Sequence, residues 1–314
     1  MRTEEDTNIV LPSVDINLYK PSLPVRVPIL DNIIATSTSG SGFIRHISFD
    51  VSGTQLENRV LPGQSLGIIP DGVDKDGKPH KVRLYSICSP TGGEDGEGKI
   101  YATTVKRVID EHWHDRGLFL GVCSNYTSDR EPGEIVQMTG PSGKRFLLPR
   151  NTTDYNYIFL ATGTGIAPFR GMIMDLMRSG MSNDVVLIFG CPYRTDVIYP
   201  ETFEELEHKH DNFHFIKAIS RENFRPDGTK QYVQNALQDE QHWMLPILKK
   251  ENTLIYICGL KGLEVGIFHI LGHLGLFDYL RLMDETRRHD PENWSKDWIK
   301  SNLKPGERMY VEVY

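Results

Sequence analysis

The sequence contains few cysteines and no apolar run near the roughly 20 residues that a membrane-spanning helix requires. Its four cysteines, Cys88, Cys123, Cys191 and Cys258, are separated by 35 residues or more, and none belongs to a CxxC pair or a compact cysteine–histidine cluster. A disulfide framework and an iron–sulfur centre are therefore not expected, and no metal site is predicted. Reduced thiols in a reducing compartment fit this spacing best.

An excess of basic charge is also absent, since 35 Lys and Arg residues stand against 42 Asp and Glu residues and the net charge is −7. General nucleic-acid binding is not expected at this charge. The first residues, Met1–Asp6, are acidic and resemble neither an apolar signal segment nor an arginine-rich transit segment. We therefore expect a cytoplasmic protein of bacterial type, with the plastid stroma as the alternative for a mature chain.

The 314 residues, of which 39% are hydrophobic, suffice for two globular domains. Up to residue 150, short strands alternate with clusters of Gly, Pro and Asp, which predicts an antiparallel barrel or sandwich. Examples of the predicted strands are Asp31–Ala35, Ile44–Val51, Leu84–Ser89, Ile100–Arg107 and Ile135–Thr139.

After the polar stretch Pro149–Asp154, continuous apolar runs alternate with helical segments. Such runs are typical of strands buried on both faces, so residues 151–314 are predicted to form an α/β domain with a doubly wound parallel sheet. Ile166–Arg178 has the apolar spacing of a helix. Pro246 interrupts the segment Tyr232–Lys250 and predicts a break or a fresh helix start there. The predicted strands are Tyr157–Ala161, Val185–Phe189, Phe213–Ile219 and Leu254–Cys258.

A glycine loop joins the first of these runs to the predicted helix. Its residues are Thr162, Gly163, Thr164, Gly165, Ile166, Ala167 and Pro168. Glycines let a pyrophosphate approach the backbone N–H groups, a helix start favours an anion, and proline is tolerated in a first helical turn. The loop predicts a dinucleotide site. The third glycine of the GxGxxG fingerprint is missing, so a tight turn in another α/β protein stays an alternative.

One strand of the first half combines three groups that suit a flavin. Arg83 can grip a phosphate with two hydrogen bonds, Tyr85 can pack on an isoalloxazine ring, and Ser86 can bond to the flavin N5 edge. Strand alternation places Arg83 and Tyr85 on one face and Ser86 on the other.

Arg83-x-Tyr85-Ser86, followed by the glycine loop and Phe169-Arg170, resembles the ferredoxin–NADP+ reductase superfamily, and further motifs resemble its plastid-type reductases. These motifs are Gly63–Gly67, Lys75–Lys81, Val105–Arg107, Gly121–Asn125, Thr139–Pro141, Cys258–Gly262 and Val311–Tyr314. They follow the family's order from about residue 25 to Tyr314. The resemblance implies an FAD-binding antiparallel β-barrel over residues 1–150 and an NADP(H)-binding α/β domain over residues 151–314.

The resemblance also implies which residues contact FAD. They are Arg83, Tyr85, Ser86, Ile87, Cys88, Val105, Lys106, Gly121, Val122, Cys123, Ser124 and Tyr314. The loop Gly121–Ser124 would hold the pyrophosphate. The chain departs from the family at Asp110, where a tyrosine usually stacks on the adenine, and His112 or Trp113 would be the substitutes.

A group of cations and hydroxyls indicates NADP(H) rather than NAD(H). Ser220, Arg221, Lys230 and Tyr232 flank a turn after a predicted strand, and together they suit a 2′-phosphate dianion. The Tyr232 ring is free to stack on adenine, and the family's 2′-phosphate site has the same four residue types. The full set of expected coenzyme contacts is Lys106, Thr162, Gly163, Thr164, Gly165, Ile166, Ala167, Pro168, Ser220, Arg221, Lys230, Tyr232, Gly259 and Leu260.

The resemblance places Ser86, Cys258, Glu312 and Tyr314 where flavin N5 and nicotinamide C4 exchange a hydride. Cys258 would pack against the nicotinamide, Glu312 would orient Ser86 and the nicotinamide, and Tyr314 would cover the flavin until the nicotinamide displaces it. An inert buried thiol at Cys258 and simple strand packing of Tyr314 are the alternatives.

The segment Lys75–Arg83 contains one acidic residue, Asp76, and four cations: Lys75, Lys78, Lys81 and Arg83. This positive charge indicates a surface that binds an acidic protein, or else a solvated hairpin. The family implies ferredoxin or flavodoxin as the partner. The sequence therefore predicts an FAD enzyme that transfers electrons between ferredoxin or flavodoxin and NADP(H). Two alternatives stay open: an NADPH-dependent flavin reductase serving a monooxygenase or cytochrome, and a docking subunit that has lost its flavin.

Overall fold

The computed structural model describes residues 9–40, 43–111, 114, 116–284, 288 and 290–314. The chain divides into two compact units. The first comprises Pro12–Leu148 and Ala167–Asp175, and the second comprises Pro149–Ile166, Leu176–Tyr314 and, of the N-terminal segment, residues 9–11. Within the described ranges, no helix has the length and apolar character needed to span a bilayer.

The first unit is built on an antiparallel sheet of six strands in the order β4-β3-β8-β1-β2-β5. The elements of this unit are β1 (Val25–Ile34), β2 (Ile44–Asp50), β3 (Ser65–Ile69), β4 (Arg83–Ser86), β5 (Ile100–Lys106), β6 (Ile109–Glu111), β7 (Leu118–Leu120), α1 (Val122–Ser128) and β8 (Ile135–Ser142). A bridge between Ile87 and Thr103 joins the continuation of β4 to β5. The two edge strands therefore meet, and the sheet closes into the predicted barrel.

The inward-facing residues of this barrel form one apolar core around Ile29, Phe49, Leu66 and Tyr101, each with no exposed surface. Burial of such side chains stabilises the barrel by about 1.5–3 kcal/mol each. Strand β3 has no counterpart among the predicted strands, since Gly67 interrupts its apolar pattern. A Cβ at Gly67 would lie 2.2 Å from Thr139 Oγ1 of β8, so glycine permits this close strand pairing.

The second unit contains a parallel sheet in the order β11-β10-β9-β12-β15. The elements from residue 156 onward are β9 (Asn156–Thr162), α2 (Ala167–Arg178), β10 (Val185–Cys191), α3 (Pro200–Lys209), β11 (Phe213–Ile219), α4 (Val233–Asp239), α5 (Gln241–Leu248), β12 (Thr253–Gly259), α6 (Leu263–His273), β13 (Leu280–Leu282), α7 (Lys296–Asn302), β14 (Leu303–Pro305) and β15 (Met309–Val313). Every residue of β10 and β12 is buried, as expected for strands covered on both faces. The predicted doubly wound sheet is confirmed.

Tyr232–Lys250 does contain a break and a fresh helix start, but the predicted position at Pro246 is wrong, because Pro246 lies inside α5. The chain turns instead at Glu240, whose N–H bonds to the Ala236 carbonyl at 2.9 Å and ends α4. Because α5 begins at Gln241, Pro246 lies in its second turn. The missing proline N–H removes only one intrahelical hydrogen bond, and the helix tolerates this loss.

Candidate coenzyme and flavin sites

The glycine loop forms where β9 ends. Gly163–Ile166 makes one turn of 3-10 helix before α2, and Gly163 has φ +53°. A Cβ on Gly165 would lie 2.2 Å from the Cys258 carbonyl oxygen, so glycine is required for the loop to pack against the end of β12. Thr162, Gly163 and Thr164 stay partly accessible, whereas Gly165, Ile166, Ala167 and Pro168 are buried.

The end of β12 lies directly against this loop. The Leu260 N–H donates to Thr162 Oγ1 at 3.0 Å. Gly259 has φ +151°, and a Cβ there would lie 2.2 Å from the same oxygen. The structure therefore brings Thr162–Thr164 and Gly259–Leu260 together at the carboxyl ends of neighbouring parallel strands, where open α/β sheets bind ligands.

Tyr314 lies over the loop. Its hydroxyl is 2.5 Å from Thr164 Oγ1, and its N–H donates to the Gly259 carbonyl at 3.0 Å. Desolvation raises the pKa of Tyr314 to about 12, so the phenol is neutral near pH 7. The residue still exposes 54% of its surface. A ligand that used Thr164 would have to displace this exposed ring.

Cys258 and Glu312 are paired neighbours on β12 and β15. Cys258 is 1% exposed. Burial, and then the negative charge of Glu312, raise the pKa of the Cys258 thiol, which is therefore protonated and not a nucleophile. Desolvation also raises the pKa of the Glu312 carboxyl. This shift brings proton exchange at Glu312 closer to neutral pH.

Ser220 and Arg221 follow β11 beside the end of β10. The Ser220 N–H donates to the Cys191 carbonyl and the Arg221 N–H to the Pro192 carbonyl, both at 2.9 Å. The Arg221 guanidinium donates to the Tyr193 hydroxyl at 3.1 Å, and this hydrogen bond raises the pKa of Arg221. Tyr193 is absent from the sequence prediction, because it follows a strand end without belonging to a motif.

Lys230 and Tyr232 lie in the turn that leads to α4. Lys230 pairs with Phe224 across a short antiparallel bridge, and Gly228 at φ +79° allows the chain to reverse. Lys230 is exposed, and Tyr232 exposes 46% of its surface. Tyr232 lies near enough to Arg221 to contribute to its raised pKa. The predicted cations and hydroxyls therefore lie on accessible segments after β11.

In the first unit, Arg83 and Tyr85 occupy β4, and Tyr85 packs beside α1. Burial, followed by the nearby Cys123 side chain, raises the pKa of Tyr85. Arg83 is exposed, and within the described ranges its guanidinium has one hydrogen bond, to the Val82 carbonyl at 3.2 Å. Ser86 is half-buried and pairs with Ser65 of β3. Arg83 thus keeps donors for an external phosphate.

The loop Gly121–Ser124 closes on the chain that leaves β5. The Gly121 N–H donates to the Val108 carbonyl at 2.9 Å, and the Val108 N–H donates to Ser124 Oγ at 3.1 Å. Val122 begins α1 and is 52% exposed. Lys106 at the end of β5 is exposed as well. Lys106 and the loop are therefore brought into one region.

Three of the expected flavin contacts are buried in the structure. Ile87, Cys88 and Val105 have no exposed surface. The Ile87 and Val105 side chains belong to the barrel core, whereas Lys106 beside Val105 is exposed, as strand alternation requires. Cys88 lies outside that core, and its sulfur is 3.6 Å from His46 Nδ1. Contact of these three residues with FAD stays a prediction.

The hairpin of β6 and β7 contains Asp110, which departs from the family pattern. Phe119 is directly opposite Asp110 in the register and exposes 43% of its surface. Directly opposed residues of an antiparallel pair lie side by side on one face. The hairpin thus presents an aromatic ring beside the departing residue. The expected substitutes, His112 and Trp113, lie outside the described residues.

Lys75, Lys78 and Lys81 are exposed around a tight loop. Asp74 holds that loop by accepting the N–H groups of Asp76 and Lys78 at 2.9 and 3.0 Å. Asp74 precedes Lys75–Arg83, and its negative charge makes the net positive charge of the whole loop smaller than that of Lys75–Arg83 alone. The three ammonium groups nevertheless remain available to a partner.

A buried group near Cys88 has metal-ligating residue types that the sequence did not reveal. Ligand atoms of His46, Cys88 and Glu94 lie within 4.8 Å of one another. The Arg170 guanidinium donates to both Glu94 oxygens, at 2.7 and 3.1 Å. This fixed positive charge already neutralises the carboxylate that a cation would need. The group is therefore a buried ion pair, and no metal is proposed for it.

Comparison with known proteins agrees with this arrangement. A family model described as an oxidoreductase NAD-binding domain matches residues 159–267. Ferredoxin–NADP reductase of Spirulina sp. is 37% identical over 309 residues, covering 96% of this chain and 99% of that protein. The chloroplastic leaf isozyme 1 of Arabidopsis thaliana is 37% identical over 308 residues, covering 95% of this chain and 79% of that protein.

The fold is also shared with solved structures. Ferredoxin–NADP+ reductase from Plasmodium falciparum with 2′P-AMP has a TM-score of 0.70 at 21% identity, covering 96% of this chain and all of that one. A closed antiparallel barrel and a parallel sheet with a glycine loop define a pyridine-nucleotide-dependent oxidoreductase. The sequence identity of 37% over nearly the whole chain narrows this class of enzyme to one family. The chain belongs to the ferredoxin–NADP reductase family.

Proposed function

We propose that this chain is an FAD enzyme that transfers electrons between ferredoxin, or flavodoxin, and NADP(H). The observation that carries the proposal is family similarity along nearly the whole chain, together with accessible residues suited to each nucleotide. When bound, FAD supplies the chemistry that couples single-electron exchange with a protein to hydride exchange with a nicotinamide. The residues of the chain bind and orient the reactants.

The proposed FAD contacts lie on β4 and around the start of α1. The open donors of Arg83 would bind phosphate, Tyr85 would pack on the ring system, and Ser86 would bond to its polar edge. Lys106 and the loop Gly121–Ser124 would hold the remaining phosphate. The fit is supported by the exposed guanidinium of Arg83 and by Gly121, where a Cβ would lie 2.8 Å from that of Val108.

The proposed NADP(H) contacts lie at the carboxyl ends of β9, β11 and β12. Thr162–Thr164 and Leu260 would meet the pyrophosphate and nicotinamide half, and Arg221 with Lys230 and Tyr232 would meet the 2′-phosphate and adenine. Cys258 would offer a neutral, polarizable surface to the nicotinamide. Glu312, whose pKa is raised by desolvation, would hold or release a proton beside it.

Phe119 is expected to bind the adenine in place of the usual tyrosine. Stacking of one base on an aromatic ring contributes about 1–3 kcal/mol. Phe119→Ala should therefore weaken FAD binding to the apoprotein about tenfold and leave FMN binding unchanged, because FMN has no adenine. Fluorescence titration of the apoprotein measures both. Leu118→Ala, in the same hairpin and 68% exposed, is the control. Loss of FAD affinity in Trp113→Ala alone would contradict the assignment to Phe119.

The three exposed lysines are expected to steer an acidic partner. Replacing Lys75, Lys78 and Lys81 by Gln should lower the ferredoxin-dependent rate several-fold at low salt and flatten its salt dependence. NADPH-to-ferricyanide turnover should barely change. A variant with Gln at Lys209, Lys249 and Lys296, which are also exposed, makes the same change in net charge elsewhere. An equal fall of both rates in the first variant would rule out the docking role.

Absorption spectroscopy and two assays test the function as a whole. The purified protein should show flavin absorbance and reduce ferredoxin with NADPH. Protein that is colourless and takes up no FAD on reconstitution would overturn the proposal. Normal NADPH-to-ferricyanide turnover without reduction of ferredoxin or flavodoxin would point to the flavin reductase with another acceptor.

We also propose the cytoplasm, or the plastid stroma, as the compartment. None of the four cysteines forms a disulfide in the structure, which suits a reducing environment.

A further inference from the structure

Two short segments are fastened together beside the proposed 2′-phosphate site. They are Cys191–Arg194, after β10, and Ser220–Glu222, after β11. The strands are paired up to Cys191 and Ile219, so both segments leave the sheet at the same level. Besides the two backbone bonds already described, the Arg194 N–H donates to Glu222 Oε2 at 3.1 Å. Their relative position is therefore set by several bonds and does not depend on one side chain.

Within this frame, Tyr193 holds Arg221 in two ways. The guanidinium carbon lies 5.4 Å from the centre of the Tyr193 ring, within the range of a cation–π contact. One guanidinium nitrogen donates to the phenol oxygen at 3.1 Å. Arg221 is exposed, and an exposed arginine without such contacts would sample many rotamers. Tyr193 therefore orders a cation in advance of binding.

The direction of this hydrogen bond gives Tyr193 a second capability. A guanidinium only donates, so the phenol oxygen must be the acceptor. The phenol proton then remains available for another acceptor, and hydrogen bonds in a chain strengthen one another. Tyr193 exposes 41% of its surface, so an anion can reach it. Arg221 and Tyr193 together present a charged and a neutral donor side by side.

Carboxylates near Arg221 offset its positive charge, so directed hydrogen bonds matter more for anion binding here than the net electrostatic potential. Glu222 lies 3.7 Å from the Arg194 guanidinium, and Asp196 contributes to the electrostatic environment of Arg221. These carboxylates offset much of the positive charge of Arg194, Arg221 and Lys230. A dianion would therefore be selected by donors at fixed positions, and removal of one hydroxyl should be measurable.

We propose that Tyr193 is a specificity residue for NADP(H), which positions Arg221 and donates its own hydroxyl proton to the 2′-phosphate. This inference rests on the proposed function, because it takes Arg221 as a 2′-phosphate ligand. The adenosine half of NAD(H), which has no 2′-phosphate, gains nothing from the pair. Tyr193 thereby contributes to discrimination between the coenzymes and not to hydride exchange.

Calorimetric titration of the FAD-loaded enzyme with 2′-phospho-AMP and with 5′-AMP tests the proposal. Tyr193→Phe keeps the ring and should weaken 2′-phospho-AMP about tenfold while 5′-AMP is unaffected. Tyr193→Ala, which also frees Arg221, should weaken 2′-phospho-AMP further. In turnover, Tyr193→Phe should raise KM for NADPH with kcat unchanged. Tyr155→Phe, a tyrosine of the same unit away from the site, is the matched control and should match the wild type.

The outcomes separate this inference from the proposed function. Wild-type affinity of Tyr193→Phe for 2′-phospho-AMP, or equal weakening of both ligands, overturns the role of Tyr193. If Arg221→Met weakens 2′-phospho-AMP while Tyr193→Phe does not, only this inference fails. If neither variant changes that affinity, the 2′-phosphate site itself is misplaced. Loss from Tyr193→Phe that disappears in an Arg221→Met background supports the coupled pair.

Discussion

Replacing Tyr314 by serine is expected to tighten binding of NADP+ about tenfold and to tighten binding of NAD+ more strongly still. Tyr314 bonds to Thr164 and Gly259, both of which belong to the proposed coenzyme site. A coenzyme that needs this space binds only to the fraction of molecules in which the ring has moved. Its measured affinity is reduced by that fraction. Tenfold corresponds to about 1.4 kcal/mol, comparable to one hydrogen bond with its ring packing.

The two coenzymes should respond unequally to Tyr314→Ser. In the proposed site, NADP+ would bind through its 2′-phosphate at Arg221 whether or not Tyr314 moves, whereas NAD+ would depend on its nicotinamide half. Removal of the ring therefore helps NAD+ more and lowers discrimination. Titration of both oxidised coenzymes, followed by flavin difference spectra, measures the effect. Tyr314→Phe, which loses the bond to Thr164 but keeps the ring, should fall between serine and wild type. Unchanged affinities for both coenzymes in Tyr314→Ser would refute the covering role.

The parallel sheet was more predictable than the barrel because its signals are local. Tyr157–Ala161 and Leu254–Cys258 are continuous apolar runs, and the structure extends each by one residue at both ends. β1 was predicted only from Asp31, whereas it begins at Val25 and includes Pro28. Proline has no backbone N–H to donate to a neighbouring strand, so its presence in the sequence argues against a strand prediction. Here Pro28 pairs with Ile135 near one end of the strand pairing.

The functional sites were likewise predictable only where their residues are close together in the sequence. The residue types at the glycine loop and at Arg83-x-Tyr85-Ser86 were recognisable, because close backbone approach and phosphate binding require particular residues within a few positions. Burial was not recognisable, so the sequence did not show that Cys88 has no exposed surface. Contacts set by strand register were not recognisable either. Phe119 opposite Asp110 and Tyr193 beside Arg221 depend on which segments become neighbours, and a single sequence does not encode this locally.

The ion pair between Glu94 and Arg170 is another contact of this kind, and its members are 76 positions apart in the sequence. Glu94 sits in the loop after β4, and its carboxylate also accepts the Ser89 hydroxyl at 2.8 Å. Arg170 donates in addition to the Cys88 carbonyl at 3.0 Å. The two side chains are only 21% and 11% exposed. Desolvation tends to raise the pKa of Glu94, but the hydrogen bond and charge of Arg170 outweigh it and lower the pKa overall.

Glu94→Gln is expected to destabilise the first unit by about 3 kcal/mol, because it leaves the guanidinium of Arg170 poorly compensated in a buried position. Urea unfolding followed by circular dichroism and flavin fluorescence measures the change. Glu205→Gln removes a surface ion pair with Lys209, in which the Glu205 and Lys209 side chains are 65% and 60% exposed. This change should lower the free energy of unfolding by less than about 1 kcal/mol. A similar small loss in Glu94→Gln would show that the pair contributes no more than a surface contact.

Acidification should narrow the difference between wild type and Glu94→Gln. The folded pKa of Glu94 lies below its unfolded value of 4.5. The stabilisation is therefore fully present above that pH and is lost as pH falls through the folded pKa. The glutamine variant has no such proton to take up, so its stability should fall less steeply over the same interval. Unfolding midpoints measured from pH 7 down to pH 3 check this, and a gap that stayed constant would assign the loss to packing and not to charge.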